Sequence, residues 1–96
     1  MTAPLLRVSL APRAEKDLRR MERAVVRRVR DALEALGADA ANLDVKPLAG
    51  HAPWRRLRAG DIRIVFREVE DGTSVTRYLV ARIVDRRDLA RTVNRL

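Results

Sequence analysis

The chain has 96 residues, room for one domain with one modest core. Hydrophobic residues make up 47 % and cysteine is absent, which argues against disorder and excludes disulfide staples, thiolate nucleophiles and zinc–cysteine sites. Lysine plus arginine total 21 against 13 acidic residues, a net charge of +8, and so basic a small domain points to a polyanionic partner.

Met1 to Arg7 is too short and too soon charged for a secretory signal. No apolar run approaches the roughly 20 residues that span a membrane. The expectation is a cytoplasmic protein with no membrane partner. Leu5 to Leu10 reads as a first strand, and Pro12 suits the first turn of a helix, where its missing N–H costs nothing. Ala14, Leu18 and Met21 then share one helical face, as do Val25, Val26, Val29, Leu33 and Leu36, with Gly37 as the stop. These stretches predict a helical hairpin. Residues 38–53 are dense in turn formers and read as a connector anchored by Leu48.

From Trp54 the period changes to two. One strand is expected over Trp54 to Ala59, a Gly60-Asp61 turn, a second over Ile62 to Val69, an Asp71-Gly72 turn, and a third over Ser74 to Val84. Leu89, Val93 and Leu96 suggest a short C-terminal helix, with Asp85 or Asp88 at its start. The whole predicts a single α+β domain over residues 1–96. Its sheet is four-stranded and antiparallel, with the hairpin on one face and the short helix last.

Residues two apart on a strand share a face. With Leu57, Ile62, Ile64, Phe66 and the odd-numbered apolar residues Val75, Leu79, Ala81 and Ile83 turned to the helices, Arg56, Arg58, Arg63, Arg67, Arg82 and Arg86 gather on the opposite face. Clustered like charge destabilises a fold unless it has a use, so this face is expected to bind nucleic acid. The helical arginines (Arg19, Arg20, Arg23, Arg27, Arg28, Arg30) read as a solvated face. On this alternation Tyr78 falls on the open face, either stacking on a base or as a half-buried strand aromatic. Trp54 has the same two readings, with packing at the core edge the commoner. His51, the one histidine, lies in a Pro/Gly-rich loop, solvated or near the RNA. Glu68, Glu70 and Asp71 lack the His or Cys support that would make them a metal site.

Lys46-Pro47-Leu48-Ala49-Gly50, then Trp54 to Phe66 with its basic strand, Gly-Asp turn and Arg63, and finally Ile83-Val84-Asp85-Arg86-Arg87-Asp88-Leu89, resemble the RelE/ParE toxins of type II toxin–antitoxin systems. The order of elements agrees along nearly the whole chain. The resemblance implies a toxin held by a cognate antitoxin, acidic and partly disordered when free, in a hetero-oligomeric complex. The RelE-like branch, the closer match, implies a ribosome-dependent messenger-RNA endonuclease that needs no metal or cofactor. Arg56, Arg63 and Arg86 match its catalytic basic positions. Arg58, Arg67, Arg82 and Lys46 are then expected RNA contacts, and Leu89, Val93 and Leu96 antitoxin contacts.

The chain departs from that pattern at three places, one of them Trp54 at an upstream basic position. Asp85 stands where the branch often has histidine, and Ala90, or Thr92 on a longer spacing, where it has tyrosine. Arginine stays charged at ordinary pH and is a poor general base. Whether the chain is an enzyme is therefore open. The alternatives are a ParE-like inhibitor of DNA gyrase and a catalytically degenerate member acting only as a binding module.

Overall fold

The computed structural model describes residues 4–70 and 72–96. A 3-10 turn, Pro4–Arg7, leads into β1 (Val8–Leu10), followed by α1 (Pro12–Arg19) and α2 (Arg23–Gly37). Next come β2 (Val45–Pro47), β3 (Arg55–Ala59), β4 (Ile62–Val69) and β5 (Arg77–Asp85). A second 3-10 turn, Arg86–Asp88, runs into α3 (Leu89–Val93).

The sheet differs from the expected four antiparallel strands. Among the described residues it has five strands, in the order β1-β5-β4-β3-β2, and it is mixed. β1 lies parallel to β5, with Val8 opposite Tyr78 and Leu10 opposite Val80. A parallel pair needs a long crossover, which the helical hairpin and the meander supply together. The added strand, β2, comes from the segment read as a connector. Its three residues are too few to show alternation, and Pro47, which lacks an N–H, sits acceptably on an edge strand. Asp71 of the expected Asp71-Gly72 turn lies outside the described residues.

The helices form as their apolar spacing predicts. Pro12 opens α1. α2 continues through Gly37 to a cap at Ala38, one residue past the expected stop. Ala14, Val29, Leu33 and Leu36 pack on Leu57, Ile64, Phe66, Val80 and Ile83 of the sheet. Burying each large side chain contributes about 1.5–3 kcal/mol.

The alternation expected in the last strand is broken. Val65 pairs with Arg82 but Phe66 pairs with Val80, so Ala81 is an extra residue, a β-bulge. A one-residue slip turns every side chain on its far side, here those before Ala81, to the other face. Tyr78 and Val80 therefore join the core under the helices, and Leu79 points away, reversing the assignment made from strict alternation. Val75, expected to face the helices, precedes the strand and is exposed.

The second face is not fully open either. Val65, Val84, Thr92 and Val93 are buried yet stand apart from the main core. α3 packs on β5 and lines a cleft with Val84 and Arg82, covering this part of the sheet. The strip left outside α3 belongs to β2, β3 and β4, where Lys46 and Arg58 are exposed, Arg56 and Arg63 half-buried and Val65 buried. Among the described residues no helix is long and apolar enough to cross a membrane.

Candidate nucleic-acid interface

The uncovered strip is cationic because of strand register. Lys46 stands opposite Arg56 across β2 and β3, and Arg58 opposite Arg63 across β3 and β4. Arg56, Arg58 and Arg63 thus project from neighbouring strands on one face. Arg86 lies beyond the end of β5, on the 3-10 turn, and is drawn to the same end of the sheet by the β3–β4 turn. Gly60 there takes the left-handed conformation, φ +62°. The neighbouring Asp61 carbonyl accepts the Arg86 N–H at 2.8 Å, and its carboxylate lies 3.8 Å from Arg86 Nε.

Arg63 is at the centre. Its Nη1 donates to the carbonyls of Gly60, at 2.8 Å, and Ile62, at 3.1 Å, which fixes the guanidinium over the turn. Partial burial, then the charges of Arg58, Arg56 and Arg86, push its pKa below the ordinary arginine value. Strand register and the Asp61 contacts bring the four groups to one end of the sheet. The crowding is relieved by Asp44, a residue of the connector. Its Oδ1 accepts from Arg56 Nη1 at 2.8 Å, and its Oδ2 lies 3.9 Å from Arg58 Nη1. The Arg56 hydrogen bond above all, with the charges of Arg56, Lys46 and Arg58, holds the Asp44 carboxyl below its usual range.

The other expected contacts lie apart from this cluster. The fork of Arg82 is engaged by Asp17 of α1, Nε to Oδ2 at 2.9 Å and Nη2 to Oδ1 at 3.2 Å. The Arg67 guanidinium lies over the Trp54 ring, 5.8 Å from its centroid, so that ring face carries a cation and not core packing. Tyr78 is on the helix side, its hydroxyl donating to Asp39 Oδ1 at 2.7 Å. Leu89 is half-buried, Val93 is buried and Leu96 is 46 % exposed. His51 lines a cleft with Leu48, Ala49, Leu89, Ala90, Val93 and Asn94.

The departures at Asp85 and at Ala90 or Thr92 also have structural counterparts. Asp85 caps the 3-10 turn, Oδ1 accepting the Arg87 N–H at 2.9 Å and Arg87 Nε at 3.0 Å. Those two bonds, the backbone one first, lower its pKa. Ala90 is exposed and Thr92 buried. Among the described residues no three His, Cys, Asp or Glu side chains converge as metal ligands. Chemically, the strip can hold an anion with two accessible oxygens through forked guanidinium contacts and offset negative charge on it. Sequence reading missed Asp44, Asp17 and Asp61, since each acts on an arginine distant in the chain or across a turn.

The fold is shared with a solved structure described as the RelB-RelE antitoxin-toxin complex from Methanococcus jannaschii. That match has a TM-score of 0.65 at 21 % identity, over 86 % of this chain and 95 % of that one. No curated protein sequence matches the chain. The family model described as the ParE toxin of the type II toxin-antitoxin system, parDE, matches residues 8–90. The chain therefore belongs to the RelE/ParE family, as a toxin of a type II toxin–antitoxin system.

Proposed function

We propose that this toxin acts on messenger RNA at the ribosome, gripping the phosphodiester chain with Arg56, Arg58, Arg63 and Arg86 and promoting its cleavage. The observation that carries the reading is the register that sets Arg56, Arg58 and Arg63 on one face of β3 and β4, with Arg86 held at the same end of the sheet by Asp61. In the cleavage, the 2′-oxygen attacks the adjacent phosphorus and loses its proton, the bond to the 5′-oxygen breaks, and that oxygen takes up a proton. The arginines offset the charge that builds on the phosphate oxygens. None of them accepts a proton at neutral pH. The rate then comes from positioning and charge stabilisation, with water or the ribosome carrying the protons. Lys46, opposite Arg56, extends the contact onto β2.

The partner in the resting state is an acidic antitoxin that is partly disordered when free. It displaces α3 or lies across the arginine strip, and Leu96, already exposed, offers an apolar contact. A second reading, ParE-like inhibition of DNA gyrase, is favoured by two features: the family model that matches is that of the ParE toxin, and Asp85 is committed to a cap while Ala90 carries no proton-transfer group. Expression of the chain without antitoxin separates the two. Transcripts cut within translated regions are the expected outcome. Double-strand DNA breaks with induced repair, and intact transcripts, would replace RNA by gyrase as the target.

A further inference from the structure

Asp44 is anomalous on the cationic strip. It immediately precedes β2, and its backbone carbonyl accepts from the Arg58 N–H and from Arg56 Nη1, both at 3.0 Å. These bonds hold the carboxylate against Arg56, whose side chain is 14 % exposed, and toward Arg58. Asp44 itself remains 42 % exposed. A carboxylate and a phosphodiester present similar pairs of anionic oxygens to a guanidinium fork. Asp44 thus sits where a bound phosphate would find its first two arginines, and it is accessible enough to leave.

We infer that Asp44 is an internal counter-ion that keeps a phosphate seat between Arg56 and Arg58, and that an RNA phosphodiester takes the seat by displacing it. The inference rests on the RNA reading above and adds a residue that sets the affinity of that face. In the free toxin Asp44 limits self-repulsion among the arginines. When RNA binds, the carboxylate swings to solvent, and Arg56 and Arg58 exchange one anion for another. Asp44 therefore weakens binding, whereas every arginine around it strengthens binding.

The test uses a labelled 2′-O-methyl RNA oligomer, which presents the phosphates but cannot be cut. Its affinity for the full chain is measured across salt concentrations. Asp44→Asn keeps an oxygen that can accept from Arg56 and removes the charge, and a thermal melt reports folding. Asp44→Asn should bind about three- to five-fold more tightly at low salt. Its plot of log affinity against log salt should stay close to the wild-type slope, since the same phosphate is held in both proteins. Arg63→Ala, in parallel, should bind more weakly. If Arg63→Ala weakens binding while Asp44→Asn binds no tighter, or gains a steeper salt slope that shows the seat stays closed in the wild type, the displacement is wrong and the RNA reading stands. If Arg63→Ala binds as the wild type does, the RNA reading fails and this inference with it. Asp44→Ala guards against an effect peculiar to asparagine, and failure of Asp44→Ala to tighten binding also overturns the role.

Discussion

Tyr78 shows how a single side chain can be misplaced by a local rule and then explained by its neighbours. It donates to Asp39 at 2.7 Å, meets Phe66 edge-on at 5.8 Å, and has Arg7 6.0 Å over its ring. Arg7 in turn pairs with Asp39 at 2.8 Å. Burial first, then the Asp39 hydrogen bond, pushes the phenol up to about 12 from 10.0. The folded state therefore holds the proton longer than the unfolded chain does. The stability this contributes is present below pH 10 and is lost as pH rises toward 12. Tyr78 is the one tyrosine of the chain, so tyrosinate absorbance reads it alone. The titration midpoint should lie near 12 and fall in Asp39→Asn; a midpoint at the ordinary tyrosine value would contradict the packing described. At this scale the sequence made the arginine strip legible, because Arg56, Arg58 and Arg63 sit on strands of regular alternation. Asp44 was not legible, since nothing local ties a connector aspartate to arginines more than ten residues on.

At the scale of elements, long amphipathic stretches and the Gly60-Asp61 turn predicted α1, α2, β3 and β4. What failed was the long-range pairing. β2 takes its strand character only from β3 beside it, and β1 is parallel to β5 because of where the chain returns. The β5 bulge has a partner on another element: Asp17 of α1 accepts the Ile83 N–H at 2.9 Å and the Arg82 fork, just past the extra residue Ala81. Removing that carboxylate leaves a partly buried guanidinium and a strand N–H unpaired. Asp17→Ala should therefore cost about 2 kcal/mol and lower the melting temperature by roughly 10 °C. Arg82→Ala keeps the Ile83 bond and should cost less. Equal melting of Asp17→Ala and wild type in thermal denaturation would remove this account of the bulge.

Across the whole molecule, the charge and the two layers are related. The helical hairpin covers one face of the sheet and α3 part of the other, leaving β2, β3 and β4 to carry the clustered arginines. The total charge of +8 was visible in composition, but its concentration depends on Arg86 being brought to the sheet end by Asp61. The most direct test of the central claim, that this strip is the toxic surface, is growth arrest on induction. The assay compares Arg63→Ala and Arg86→Ala with the helix-surface substitutions Arg23→Ala and Arg27→Ala. Each strip variant should lose about ten-fold or more in RNA affinity and release the arrest, while the helix variants still arrest growth. Arrest that persists undiminished in Arg63→Ala and Arg86→Ala, with both proteins folded, would contradict the account.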